Sequence, residues 1–202
     1  MKFVLYIYKC IRWGYYHCYI NLYNYLILRL RNVEFDHNLR INGKINLYGK
    51  GKIVIGRNVT INSDMDFNPI GGMNGVIINT SENGYVKIGD GVGISNSAIV
   101  SYCSIEIEND VFIGGNSVIY DTDFHSLKFV KRIANLDDDI KSKPIKIKRG
   151  AFIGGSSIIL KGVTIGEQSI VGAGSVVTHD IPDGEVWAGN PAKFIRKISM
   201  SS

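Results

Sequence analysis

The feature that most constrains the fold of this 202-residue chain is an aliphatic residue at every sixth position in its C-terminal half. The residues concerned are Ile147, Ile153, Ile159, Ile165, Val171 and Val177. An amphipathic helix needs an apolar spacing near 3.6 and a half-buried strand needs a spacing of 2, so a strict period of six fits neither element alone. The run instead predicts a solenoid of short strands, in which stacked repeats bury one continuous core.

Small or β-branched residues follow the aliphatic positions at a fixed distance of four. They are Ala151, Ser157, Val163, Ser169 and Ser175. A glycine follows the aliphatic residue directly at Gly154, Gly166 and Gly172. Each six-residue unit would form one flat face of a three-sided coil, with backbone hydrogen bonds between successive coils as in a parallel sheet. Small residues suit the corners, and glycine suits a corner that requires a positive φ.

Two segments at the end of the chain resemble a known family. GAFIGGSSIILKGVTIGEQSIVGAGSVVTHDIP, residues 150–182, and AGNPAKFIRKI, residues 188–198, are similar to the hexapeptide-repeat acyltransferases, especially the sugar O-acetyltransferases of the galactoside, maltose and capsular-polysaccharide type. The resemblance covers roughly residues 40–198. It implies an all-β solenoid, a left-handed parallel β-helix. Parallel crossovers by themselves favour the opposite hand, so the predicted handedness rests on the resemblance.

We expect one domain with additions rather than two domains. Residues 1–37 are predicted to form an N-terminal amphipathic helical segment, and residues 38–202 the β-helix acyltransferase domain. This domain would carry a protruding excursion loop over 121–146 and a cap over 183–202 that contains a short C-terminal helix.

Composition argues against several classes of protein. The net charge is +5, but no recognised motif accompanies the basic residues, so nucleic acid is not an expected partner. The three cysteines, Cys10, Cys18 and Cys103, form no CxxC pair and have no histidine-rich partner segment, so neither a disulfide framework nor a metal site is predicted. A reducing cytoplasm is the expected compartment.

Residues 3–30 mix aromatic, aliphatic and basic side chains and predict an amphipathic helix, with a break near Gly14. Charges interrupt this stretch too often for a membrane span, which needs about 20 mainly apolar residues, and no signal-peptide cleavage site follows it. Two interpretations stay open. The helix caps the first coil of the solenoid, or it contacts the inner face of the membrane with Tyr and Trp at headgroup level.

Two interruptions of the repeat are candidates for function, because long loops in compact domains often carry it. The first spans residues 63–75. The period then returns at Ile94 and Val100 and slips by one before Ile107. The second and longest interruption spans residues 121–146 and contains one histidine.

That histidine, His125, is the predicted general base. An acceptor hydroxyl must lose its proton to attack a thioester, and histidine is the side chain best suited to take it near neutral pH. In the resembling family a histidine in the loop that leaves the β-helix has this role, and DTDFH, residues 121–125, stands at the matching place. Asp123 is predicted to orient the imidazole, with Asp121 as the competing partner.

The resemblance also implies that acetyl-CoA binds to the C-terminal coils. Matched to the family's pattern, Gly155, Ala173 and Thr178 are expected along the pantetheine arm or at its adenine end. Lys193 and Arg196 are three residues apart, so they would share one face of the predicted short helix and could bind the CoA phosphates.

The predicted function is acetyl-CoA-dependent O-acetylation of a sugar or glycan hydroxyl during surface polysaccharide synthesis, by a homotrimer with sites between neighbouring subunits. Acetyl transfer would be direct, since no activated serine or cysteine nucleophile is evident. Two alternatives stay open. One is N-acetylation of an amino sugar, or acetylation of serine, which shares the base and the cofactor; the other is a β-helix that binds ligands without catalysis.

Overall fold

The computed structural model describes residues 2–36, 38–64, 67–69, 75–136 and 138–198, and side-chain statements about the first helix concern residue 16 and residues 18–30. The elements in chain order are α1 (Lys2–Leu30), β1 (Glu34–Phe35), β2 (Arg40–Gly43), β3 (Asn46–Gly49), β4 (Lys52–Ile55), β5 (Thr60–Ser63), β6 (Ile77–Thr80), β7 (Tyr85–Ile88), β8 (Gly93–Ser95), β9 (Ala98–Ser101), β10 (Ser104–Ile107), β11 (Phe112–Ile113), β12 (Val118–Tyr120), α2 (Phe129–Ile133), β13 (Ile145–Ile147), β14 (Phe152–Ile153), β15 (Ile158–Leu160), β16 (Thr164–Ile165), β17 (Ile170–Val171), β18 (Val176–Val177), β19 (Glu185–Ala188) and β20 (Lys193–Lys197).

The strands form three sheets, and the chain visits the sheets in turn. The first sheet has the order β1-β4-β7-β10-β13-β16, and the second β2-β5-β8-β11-β14-β17-β19-β20. The third sheet runs from β3 through β6, β9, β12 and β15 to β18. The pairing is parallel throughout, except between β19 and β20. The structure is the predicted left-handed parallel β-helix, and its three sheets form the three sides of a prism.

The aliphatic residues of the six-residue period point into the prism and stack from coil to coil. The ladders are Ile107, Ile147 and Ile165 in the first sheet, Ile113, Ile153 and Val171 in the second, and Ile119, Ile159 and Val177 in the third. Each of these side chains is at most 2% exposed. Burial of one such side chain contributes about 1.5–3 kcal/mol, and no coil achieves it without its neighbours. The predicted inward ladder is confirmed.

Ser157 and Ser175, each four places after an aliphatic position, close the corners between the second and third sheets. The hydroxyl of Ser157 donates to the carbonyl of Gly154 at 2.6 Å, and that of Ser175 donates to the carbonyl of Gly172 at the same distance. Both serines are fully buried. Each of these carbonyls also accepts from the serine of the preceding coil, Ser117 to Gly154 and Ser157 to Gly172, both at 3.2 Å, so small hydroxyl side chains satisfy the corner carbonyls within a coil and between coils.

One register prediction is wrong. The inward residue of β9 is Ile99, which is fully buried and pairs with Ile119, whereas Val100 pairs with Tyr120 on the outward-facing side. The period therefore slips on both sides of Ile99, which lies five residues after Ile94 and eight before Ile107. The corner at Asn96, with a φ of 38°, brings the chain round in one residue fewer than the corner at Asn116 in the next coil.

The N-terminal helix is continuous from Lys2 to Leu30, so the break expected near Gly14 is absent. Its last turns cover the open first coil. Ile20 and Leu28 are buried, and Leu28 joins the core cluster of the β-helix. Asn24 donates to the carbonyl of Gly43 at 2.8 Å and accepts from the amide of Ile45 at 3.1 Å, at the corner between β2 and β3. These contacts support the cap interpretation for this part of the helix.

The short C-terminal helix predicted within residues 183–202 is wrong. In its place β19 and β20 form an antiparallel pair that ends the second sheet. The edge of a sheet exposes backbone N–H and C=O groups, and pairing with β20 satisfies those of β19. Lys193, Arg196 and Lys197 then make the new edge strand polar, which suits an exposed edge.

Candidate active site

The candidate site begins where the excursion loop leaves the corner between the third and first sheets. The loop connects β12 to β13, close to the predicted bounds of 121–146, and contains the helix α2, which the sequence analysis did not predict. Its two limbs pair at the base. The amide of Asp123 donates to the carbonyl of Lys141 at 3.2 Å, and that of Lys143 to the carbonyl of Asp121 at 2.9 Å. The Ser142 hydroxyl donates to that of Thr122 at 3.0 Å.

Asp121 has a structural role in this arrangement. Its carboxylate is fully buried and accepts hydrogen bonds from the Ser101 hydroxyl at 2.8 Å and from the amides of Tyr102 and Cys103 at 2.7 and 2.9 Å. The carboxylate therefore ties the loop base to the corner between β9 and β10. With three donors already bound, Asp121 is poorly placed to orient His125.

The backbone between Asp123 and His125 makes a γ-turn. The amide of His125 donates to the carbonyl of Asp123 at 2.8 Å, and Phe124 between them has a φ of +63°. A γ-turn with positive central φ is rare, and a bulky residue in this region is strained by roughly 1–3 kcal/mol. Something in the structure must therefore hold the turn.

Two tyrosines hold the γ-turn at Phe124 in place. The ring of Phe124 packs edge-to-face against Tyr120, with centroids 5.1 Å apart, and against Tyr102 at 6.1 Å. Edge-to-face pairs at such distances contribute about 0.5–1.5 kcal/mol each, enough to offset the backbone strain. Both tyrosines lie on the β-helix, so the coils set the direction in which His125 leaves the loop.

His125 is exposed at the end of this turn. Within the described parts of the chain, no side chain forms a hydrogen bond with its imidazole. The Asp123 carboxylate instead contacts the ammonium group of Lys161, which follows β15 on the same corner, and both side chains are mostly buried. The imidazole is thus free to meet a ligand, and Lys161 is a candidate positioning residue that sequence analysis missed.

The predicted cofactor residues occupy two different corners. Gly155 and Ala173 lie in the turns between the second and third sheets, after β14 and β17, and Ala173 is exposed. A Cβ atom at Gly155 would lie 3.0 Å from the carbonyl oxygen of Gly115, so little space for a side chain exists there. Thr178 follows β18, on the corner that also carries the His125 loop, and its hydroxyl is 2.8 Å from Nδ1 of His179.

Lys193 and Arg196 share a face for a different reason from the one predicted. Residues three apart on a regular strand point to opposite sides. In β20, however, Lys193 pairs with Ala188 and Arg196 with Val186, because one extra residue shifts the register between them. Paired residues lie on the same face of a sheet, and positions 186 and 188 are two apart, so the bulge returns both cations to one face. Both are exposed.

A polar cluster near the first interruption is a further candidate that the sequence analysis did not identify, because the register slip lies beside it. Asn62 donates to the Ser95 hydroxyl at 3.4 Å, and Asn68 donates to the same oxygen at 2.9 Å. Ser95 and the neighbouring Asn96 are buried on the corner that also carries Gly155 and Ala173. Among the described residues, no three His, Cys, Asp or Glu side chains cluster as metal ligands would.

Comparison with known proteins identifies the family. The model for bacterial transferase hexapeptide (six repeats) matches residues 144–179, and that for the hexapeptide repeat of succinyl-transferase matches residues 104–119. A solved hexapeptide-repeat acetyltransferase of Vibrio cholerae is 32% identical, with a TM-score of 0.52, over 60% of this chain and 68% of that one. The chain belongs to the hexapeptide-repeat acetyltransferases.

Other members of the family differ in chemistry and coverage. The Vibrio cholerae acetyltransferase was also solved in complex with acetyl-coenzyme A, at 33% identity and a TM-score of 0.54 over 60% of this chain and 65% of that one. AntD of Bacillus cereus, an N-acyltransferase solved with dTDP and coenzyme A, is 27% identical with a TM-score of 0.66 over 82% of this chain and 84% of AntD. A candidate acetyltransferase of Saccharomyces cerevisiae is 40% identical over 104 residues, 52% of this chain. This chain spans about half the length of that curated relative.

Proposed function

We propose that this hexapeptide-repeat protein is an acetyl-CoA-dependent O-acetyltransferase that acts on a hydroxyl of a sugar or glycan. The observation that carries the proposal is the strained turn at Phe124, which two tyrosines of the β-helix hold and which presents an exposed His125. Strained backbone persists where the surrounding structure over-determines it, and such positions cluster at active sites.

In this mechanism the imidazole of His125 accepts the proton of the acceptor hydroxyl. The hydroxyl oxygen attacks the thioester carbonyl carbon, a backbone N–H group stabilises the oxyanion, and the carbon–sulfur bond breaks as the tetrahedral intermediate collapses. The CoA sulfur leaves with a proton returned from the imidazolium. Asp123 and Lys161 act as positioning residues, because their ion pair links the γ-turn to β15.

The CoA phosphates would bind on the outer face of β20, where Lys193 and Arg196 point the same way. Arg and Lys side chains bind phosphate by charge-assisted hydrogen bonds. We expect the Lys193→Ala, Arg196→Ala variant to bind CoA at least tenfold more weakly at low salt, measured by calorimetry. Lys197→Ala is the matched control, since Lys197 pairs with Glu185 and lies on the other face. Equal affinities of the two variants would contradict this assignment.

A second copy would complete the site. His125 and Thr178 lie at the corner where the strands of the third sheet end, and Gly155 and Ala173 lie at the corner where those strands begin. In a trimer, the corner that carries His125 in one subunit can face the corner that carries Gly155 and Ala173 in the next. Exposed apolar residues on the loop, Leu127, Phe129, Val130 and Ile133, suit burial in such a contact. Light scattering should give a trimer mass; a monomer at micromolar concentration would contradict the shared site.

The acceptor separates two candidate functions. The structural match to AntD covers most of both chains, and AntD is an N-acyltransferase. Transfer to the amino group of an amino sugar is therefore the second candidate function. We expect thiol release from acetyl-CoA with neutral glycans of surface-polysaccharide type, and an ester product that hydroxylamine cleaves. An amide product formed only with amino sugars would replace the O-acetyl assignment by N-acetyl transfer. No thiol release with either class would leave a non-catalytic binding role.

A further inference from the structure

The proposed chemistry leaves the N-terminal helix α1 without a role beyond capping. Its contacts run across the open end of the prism. Asn24 forms hydrogen bonds at the corner between β2 and β3, where β3 begins. The Arg31 guanidinium, just past the helix, donates to the carbonyl of Tyr48 at 3.2 Å and to the Thr80 hydroxyl at 3.3 Å, where β3 and β6 end. The last turns of α1 therefore lie across the end of the β-helix, and one side of the helix faces away from it.

That outer side is apolar. Each helical residue advances the direction by about 100°, so Leu22 and Leu26 point roughly opposite to the buried Ile20 and Asn24. Leu22 is 58% exposed and Leu26 is 49% exposed. The exposed large apolar residues of this outer face are Tyr19, Leu22, Tyr25, Leu26 and Leu30, and Cys18 and Arg29 are exposed on the same face. A helix that is apolar on the side facing its own protein and on the opposite side needs a second apolar environment.

The charge on the helix itself has one sign. The helix contains Lys2, Lys9, Arg12 and Arg29 and no Asp or Glu. The Arg29 guanidinium lies 5.4 Å from the centre of the Tyr25 ring, and the ammonium group of Lys44 lies 4.8 Å from that of Tyr19. Cations held beside aromatic rings at the border of an apolar strip are the arrangement that suits a lipid headgroup layer.

These features decide between two occupants. A second copy of α1 would bring basic residues against basic residues with no acid in either helix, which opposes self-pairing. An anionic lipid surface complements the charge and buries the apolar strip. Among the described residues, no helix is long and apolar enough to cross a bilayer. We propose that α1 lies in the interface of an anionic membrane and holds the end of the β-helix against it.

Vesicle flotation with the full chain tests this proposal. We expect the protein to float with mixed phosphatidylcholine–phosphatidylglycerol vesicles and to bind phosphatidylcholine alone far more weakly, with binding that declines as salt rises. The Leu22→Gln, Leu26→Gln variant should lose at least tenfold in vesicle affinity. Arg29→Gln with Lys44→Gln, which removes the two cations held beside Tyr25 and Tyr19, should lose about fivefold for each cation removed, because one basic residue near an anionic surface is worth about a factor of five.

Phe112→Gln with Phe152→Gln is the matched control, since it removes two exposed apolar residues, 58% and 45% exposed, from the second sheet instead of α1. Its vesicle binding should equal that of the unmodified protein. Thiol release with a soluble acceptor should be unchanged in the Leu22, Leu26 variant, which separates the membrane role from catalysis. Loss of binding in the second-sheet control, or a change of mass in light scattering without any change in vesicle binding of the α1 variant, would overturn the proposal.

Discussion

The coils and the excursion loop place their side chains by different means. In the coils, Ile153 stacks between Ile113 and Val171, which occupy the equivalent positions of the two neighbouring coils. The coil on either side therefore fixes the position of each inward side chain. In the loop, Phe124 and His125 have no counterpart one coil away, and their placement depends on single contacts with Tyr102 and Tyr120. Repetition makes the coils robust and uniform, whereas the loop can hold a strained, singular arrangement because the rigid coils support it.

The largest expected effect tests the chemical side of this comparison. His125→Ala should lower kcat by about 10²–10⁴-fold, because a positioned base contributes that much. Its melting temperature and CoA affinity should be unchanged, since the side chain is exposed and no described group bonds it. Asp138→Asn, an exposed change in the same loop, is the control and should retain activity. Near-normal turnover of His125→Ala would remove the base from the mechanism.

A core substitution tests the coils. Ile153→Ala should lower the free energy of unfolding by about 2–5 kcal/mol, because the ladder on both sides cannot close the cavity. Leu127→Ala in the loop should change it by less than about 0.5 kcal/mol in the separated chain, since Leu127 is 78% exposed. Chemical denaturation measures both. Similar losses of unfolding free energy in the two variants would mean that Leu127 is packed as tightly as Ile153, which would contradict the contrast between loop and coils.

Phe124 tests how the coils direct the loop. Phe124→Gly relieves the positive φ but removes the ring that packs against the two tyrosines. We expect kcat to fall about tenfold while the KM for acetyl-CoA stays constant, because misplacement of the base affects the chemical step alone. Phe124→Tyr should restore most of the rate. If the glycine variant were as active as the unmodified protein, the ring contacts would have no part in positioning His125.

The smallest effect concerns charges on the coils. Lys146 donates to Glu108 at 2.9 Å, and this hydrogen bond, with the Arg149 amide, holds the pKa of Glu108 below its usual range. Because the folded pKa is lowered, the stabilisation is present above the ordinary pKa near 4.3 and is lost as pH falls through the folded value. Unfolding between pH 5 and 3 should show Glu108→Gln losing less stability than the unmodified protein, by under about 1 kcal/mol. Parallel pH profiles would show that the pair contributes nothing.

The same contrast explains what the sequence could predict. The ladders were predictable because the period of six repeats the same steric requirement in every coil. The prediction of a C-terminal helix was wrong because a spacing of three residues between Lys193 and Arg196 fits either a helix or a bulged strand. The strand forms because β19 would otherwise leave its backbone groups unpaired at the edge of the sheet. The burial of Asp121 and the ion pair between Asp123 and Lys161 depend on tertiary contacts that no local pattern encodes.

The pairing at the loop base has a consequence for how such a protein can change. Residues 121–123 and 141–143 meet at one corner, so the chain leaves the solenoid and returns to it at the same place. The next coil therefore starts in register however many residues lie between. A loop of another length or composition could therefore be inserted at this corner without changing the register of the aliphatic ladders. Members of the family could acquire different acceptors by exchanging this loop.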